Sequence, residues 1–101
     1  MATEHDLDTI SRVAGADLSS AQYKFLESNS HGTVTVTNAA GEYVLGVLQN
    51  NPTSGNAATV AICGISKVVL GGTVAINDSI ATDNAGKAVA ASTGNKIVGI
   101  A

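Results

Sequence analysis

Residues 43–72 read YVLGVLQNNPTSGNAATVAICGISKVVLGG. Two apolar segments, Tyr43–Gln49 and Ala58–Cys63, flank a loop of Asn, Pro, Thr, Ser and Gly. A third, Ile65–Leu70, stops at Gly71 and Gly72. Short apolar runs rich in Val and Ile, bounded by turn formers, are strand-sized. The block reads as a β-meander and carries no catalytic group, which points away from an enzyme and towards a rigid binding or structural module. Tyr43–Gln49 is apolar at consecutive positions, so both of its faces should be covered. Gly46 in its middle marks a bulge or a close approach of backbone. At Gly64 two readings are open: a tight hairpin, or one strand bent through a bulge.

Outside this block the same grammar continues. Thr33–Thr37 alternates Thr-Val-Thr-Val-Thr, which sends Val34 and Val36 to the core and the three threonines outward. Tyr23–Leu26, Val74–Ile76, Ser79–Ala81, Lys87–Ala91 and Lys96–Ile100 are further short strands, separated by Gly, Asn, Asp and Ser clusters. Asn77 and Asp78 form a turn pair that tolerates left-handed backbone. Residues 16–22 suit a single turn capped by Asp17 or Ser19. Residues 1–12 are polar and acidic, without a period, and read as an extended N-terminal arm. The expected fold is all-β: a small β-barrel or β-sandwich of short strands over residues 13–101, carrying that arm.

Composition narrows the function. A chain of 101 residues fits one domain. It is 45% apolar but only 3% aromatic and lacks Trp, so Val, Ile, Leu and Ala build the core. Such side chains bury little area each, and assembly into an oligomer would add stability. Charged residues make up 13%, against about 25% in an average domain, so much of the surface is neutral or covered by partners. The net charge is −3 and the five Lys and Arg residues are scattered, so no nucleic-acid partner is expected. No apolar run is long enough to span a membrane, and the acidic N-terminus does not read as a secretory signal. Synthesis in the cytoplasm is expected. Cys63, the single cysteine, lies in an apolar run and reads as a small buried hydrophobe.

Candidate chemistry is sparse. Glu4, His5, Asp6 and Asp8 form the one dense ionisable cluster, but a terminal arm offers no fixed metal geometry. His31 sits in a Ser/Asn/Gly turn. Asp78 with Ser79, and Asp83 with Asn84, are ordinary turn formers, and no Ser-His-Asp order can be assembled from them. The triplet Asn77-Asp78-Ser79 matches a glycosylation acceptor, which stays unmodified without secretion. Gly71 and Gly72 lack the Lys and Ser/Thr of a phosphate loop. The threonine row of residues 33–37 is too short for an ice-binding face. No cofactor, no metal and no reaction are expected. A non-enzymatic carbohydrate- or ligand-binding β module is the alternative, with Tyr23, Phe25 and Tyr43 as its only aromatics; in strands, these belong to core or interface.

From about Val13 to Ala101 the chain resembles the capsid cement, or head decoration, proteins of tailed bacteriophages. The resemblance is carried by residues 14–25 (AGADLSSAQYKF), 46–50 (GVLQN) with Pro52 and Gly55, 58–60 (ATV), Gly64, Lys67, Val68, Gly71, Gly72, and 86–89 (GKAV). It implies a compact β-barrel-like domain on the outer capsid surface of the virion. There it would act commonly as a homotrimer, bridging copies of the major capsid protein and catalysing nothing. Relatives usually have Gly-Asp where this chain has Asn77-Asp78, and Asn can keep such a turn. An extended arm can add a strand to a partner's sheet edge. The capsid-binding residues expected on this basis are Thr3, Glu4, His5, Asp6, Leu7, Asp8 and Ile10. Deleting residues 2–12 should then abolish binding and leave the β domain folded.

Overall fold

A computed structural model describes residues 8–92 and 94–101. The described chain is all-β, with no helix. Its strands are β1 (Asp8–Ala14), β2 (Phe25–Ser28), β3 (Thr33–Val36), β4 (Gly46–Leu48), β5 (Ala57–Cys63), β6 (Ser79–Thr82), β7 (Ala88–Ala90) and β8 (Gly99–Ile100). The first five close a barrel in the order β1-β3-β2-β4-β5, and the last three form a separate sheet in the order β7-β6-β8. All pairings are antiparallel except β1 with β3, where Val13 faces Thr33 and Ala14 faces Val34.

β1 corrects the expected arm. Residues 8–12 belong to the barrel, with Thr9 opposite Ala61, Ile10 opposite Val60 and Arg12 opposite Ala58. Val13 and Ala14 close the ring by pairing with β3, and deleting residues 2–12 would remove most of this barrel stave and open the edge of β5. The hydrophobic pattern conceals this strand because five of its seven residues are exposed, one is half-buried and only Ala14 is fully buried. Its stability comes from backbone hydrogen bonds to two neighbours.

The barrel core consists of Leu26, Val34, Leu48, Val60, Ala58 and Ala14, closed by Leu18 and Ala21. Val34 points inward and Val36 is partly buried against the same core, as the alternation dictates. Turns set the register between strands. Gly32 sits at φ 77° in the β2–β3 turn, where Asn29 N–H donates to the Thr33 carbonyl at 2.8 Å. The 50–56 loop is fastened by Asn50, whose amide donates to the Ala57 carbonyl (3.1 Å) and accepts from Thr59 N–H (3.0 Å). Around residues 16–22, Ser19 N–H donates to Asp17 Oδ1 at 3.0 Å, a side-chain-made turn without a helix.

Neighbouring residues of β2 serve two cores. Leu26 points into the barrel, and Phe25, one residue earlier, points out of it. Outside, Phe25 packs with Ile80 and Ala88 of the small sheet, joined by Val44, Val47, Val68, Val74 and Val98. This second cluster joins the sheet to the barrel. It also explains why the 43–49 segment is apolar on both faces: Leu45 and Leu48 serve one core, Val44 and Val47 the other. The strand itself is shorter than expected, Gly46–Leu48 only.

Other expectations are revised. β5 ends at Cys63, and Gly64 turns the chain at φ 108°, so neither a hairpin nor a bent strand follows. Residues 65–70 form no strand; one bridge, Leu70 to Ala88, ties them to β7. Val74–Ile76 forms no strand; the chain turns at Ile76 and Asn77, and the Asp78 carboxylate closes the turn by accepting from Ala75 N–H at 2.9 Å. Asn77 takes φ 71°, the left-handed turn that its glycine-like role requires. Cys63 is exposed, because the strand has left the core by that point. Tyr23 also adopts φ 68°, kinking the chain into β2 while its N–H donates to the Leu48 carbonyl at 2.7 Å.

Thr37 was expected outside but is buried to 1% exposure, as is Thr82 of β6. Their hydroxyls lie 2.6 Å apart, and Thr82 Oγ1 donates to the Asp83 carbonyl at 2.9 Å, so Thr37 supplies the proton between them. This pair is a polar bolt between barrel and sheet. Thr82→Val keeps the shape and strands the Thr37 hydroxyl. A loss of about 1–3 kcal/mol is expected in urea unfolding, since a buried donor without an acceptor costs that much. A loss below about 0.5 kcal/mol would mean that the bolt contributes nothing net.

Candidate functional site

Of the residues expected to bind a partner, Thr3, Glu4, His5, Asp6 and Leu7 lie outside the described residues. Asp8 is exposed at the start of β1, opposite Cys63. Ile10 is half-buried against the barrel core, so its side chain is committed internally and is withdrawn from the expected contact set. The turn carboxylates do structural work: Asp83 Oδ1 accepts from Ala85 and Lys87 N–H groups, each at 2.8 Å. His31 is exposed, its Nδ1 3.3 Å from Ser30 Oγ. Among the described residues no group of three or more His, Cys, Asp or Glu is placed to hold a metal ion.

The most distinctive surface is a groove between the barrel and the small sheet. It comprises two adjoining hollows of about 420 and 370 Å³, which share Phe25, Val47, Gly64, Ser66 and Val98. Along it stand Tyr43, Ile62, Ile65, Leu70, Ile97 and Ile100, leaving only Val13 and Ile76 of the described exposed large apolar residues elsewhere. Tyr43 is 76% exposed and Ile100 73%, so the groove is an open apolar face. Three features build it. Gly64 ends β5 and carries Ile62 and Ile65 to the rim; β8 returns alongside, placing Ile97 and Ile100 opposite; Phe25 forms the floor. Gln49 braces one side, its amide donating to Ser66 Oγ at 2.8 Å. Lys96 is the only charged side chain lining either hollow, and its ammonium lies 4.8 Å from the centre of the Tyr43 ring. Contiguous exposed apolar surface of this kind marks a contact site.

Beside the groove, Glu27 of β2 meets Glu42. Burial pushes the Glu27 carboxyl above its ordinary range, and the hydrogen bond with Glu42 and its negative charge add to this. Burial alone would raise Glu42 as well. The Asn38 N–H (2.8 Å), the proton of Glu27 and the Ala39 N–H (3.2 Å) outweigh it and hold Glu42 low. Of the two, Glu27 is therefore the carboxyl that releases its proton at the higher pH. Its stabilising contribution is full below the ordinary value of 4.5 and is lost as pH rises through its raised value. Glu42 contributes above 4.5, and its share is lost as pH falls through its lowered value. Glu27→Gln retains a donor to Glu42 without the charge. It is expected to melt above wild type at neutral pH, the gap closing as pH is lowered toward 4.5. Equal melting temperatures at neutral pH would show that the two carboxyls share no proton. Nothing in the sequence pairs residues so far apart.

Little of the groove is legible in the sequence: Tyr43 and Phe25, expected in core or interface, supply its rim and floor. Compared with protein-family models, curated proteins and solved structures, the chain matches none.

Proposed function

We propose that this chain is a capsid decoration protein, which binds the outer surface of a tailed-phage head as a homotrimer and stabilises it by bridging major capsid protein subunits. The sequence resemblance suggests the role, and one structural observation supports it most: the exposed apolar groove rimmed by Ile62, Ile65, Leu70, Ile97 and Ile100. A cement protein acts through summed contact area and needs no reactive group. A stable interface buries on the order of 1,600 Å², and a shell offers the same site many times, so modest contacts gain avidity. A chain with 13% charged residues brings little charge repulsion between neighbouring copies. A carbohydrate-binding module would instead display stacking platforms, and Tyr43 is the one strongly exposed aromatic among the described residues.

The test is cosedimentation of the full chain with expanded, DNA-filled heads stripped of their own decoration protein, with the mass of the free protein measured alongside. Saturable binding that raises the temperature at which heads release DNA is expected. Failure to bind any such head, combined with retention on a glycan array, would replace this reading with the carbohydrate-binding one.

A further inference from the structure

We infer that Tyr23 is a contact residue for the shell protein, its ring held out beside Lys67 on a strained backbone at the polar margin of the groove. This rests on the decoration reading and adds to its binding surface a side chain that lines neither hollow.

The strain is the first observation. Two described residues other than glycine have positive φ, Asn77 at 71° and Tyr23 at 68°. Asn tolerates this left-handed region because its short amide can hydrogen-bond locally. In a bulky residue the same angle crowds Cβ against the following carbonyl oxygen. The angle itself is set by main-chain bonds: Tyr23 N–H donates to the Leu48 carbonyl at 2.7 Å, and the Tyr23 carbonyl accepts from Val69 N–H at 2.9 Å. Glycine or asparagine would make both bonds with less strain. The backbone therefore accounts for the angle and leaves the choice of tyrosine to its side chain.

The surroundings of the ring are the second observation. Tyr23 is half-buried, yet it is not among the residues packed against either apolar cluster. The ammonium of the exposed Lys67 stands 6.0 Å from the ring centre. A rigid amphipathic ring at the surface is the kind of side chain enriched at protein contacts.

The third is continuity with the groove. Ser66 lines both hollows and accepts from the Gln49 amide at 2.8 Å. The Gln49 carbonyl accepts from the Gln22 amide at 2.9 Å, and Gln22 immediately precedes Tyr23. Asn51 grips Gln22 twice, accepting from its N–H and donating to its Oε1, each at 3.2 Å. This braced run of amides leads from the groove to Tyr23, so one partner surface can lie over both. Strain kept where a smaller residue would relieve it marks a position held for function at the expense of stability.

The experiment compares wild type, Tyr23→Gly, Tyr23→Asn and Asn77→Gly by melting temperature and by cosedimentation with the same stripped heads. Both Tyr23 variants should melt no lower than wild type and bind heads about tenfold more weakly or worse. Asn77→Gly, which relaxes the other left-handed residue, should bind as wild type does. A photo-crosslinking phenylalanine analogue at position 23 should attach to the shell protein. If both Tyr23 variants melt more than about 4 °C below wild type, the ring belongs to the fold and the inference is wrong. Undiminished binding by these variants, or crosslinking from position 23 only to another copy of this chain, also overturns it. In each of these cases a wild type that binds heads leaves the decoration role standing. If wild type binds no head, the decoration role itself fails and this contact with it.

Discussion

Phe25→Ala is expected to cost about 3–5 kcal/mol, the usual range for emptying a buried aromatic site. Stability for a domain of this size is of the order of 5–15 kcal/mol, so the variant would stand near its unfolding limit. The loss should be uneven. Phe25 is the largest side chain of the cluster that seats Ile80 and Ala88 on the barrel, with Val44, Val47, Val68, Val74 and Val98 packed around it. The barrel core of Leu26, Val34, Leu48 and Val60 does not include it. Hydrogen exchange should therefore speed up most in β6, β7 and β8, while amides of β2 to β5 keep more of their protection. Uniform acceleration across both sheets would show that they unfold as one unit. Because Phe25 also floors the groove, the same variant should bind heads weakly even at temperatures where the barrel stays folded.

Gly46→Ala should be as damaging, for a steric reason. A Cβ at residue 46 would overlap the Ala61 carbonyl oxygen and come within 2.7 Å of Val60 Cγ1. The obstacle is backbone, and β4 has nowhere to retreat, because it is paired to β2 on one side and β5 on the other. A loss of about 3 kcal/mol or more, or failure to fold, is expected from overpacking at such a site. Gly99→Ala is the control: its Cβ would enter open space, so a change within about 0.5 kcal/mol is expected. Urea unfolding of the two variants side by side decides the matter. Similar midpoints would mean that the β4–β5 approach is looser than the barrel geometry requires.

Both experiments probe positions that the sequence marks only in outline. Gly46 stands out as a glycine inside an apolar strand, and close backbone approach was one of its two readings. The partner, Ala61, could not be named before the barrel closed. Phe25 was legible as core or interface, but not as the joint between two sheets. β1 was not legible at all. The segment Asp8–Ala14 has no two-residue hydrophobic period, because most of its side chains point to water. Its pairing with β5 and β3 is made of main-chain hydrogen bonds, which any sequence without proline can offer.

By itself, the sequence determined the all-β class, the positions of its turns and the inward face of β3. These depend on local properties: the left-handed tolerance of Gly and Asn, the rigidity of Pro, and the two-residue alternation of strands. Tertiary structure alone decided that β1 is a barrel stave, that Thr37 is buried against Thr82, that Glu27 comes to lie beside Glu42, and that the exposed isoleucines gather along one groove. Each of these joins residues far apart in the chain, and which distant residues meet is fixed by how the strands close around a common core, a choice that no local pattern encodes.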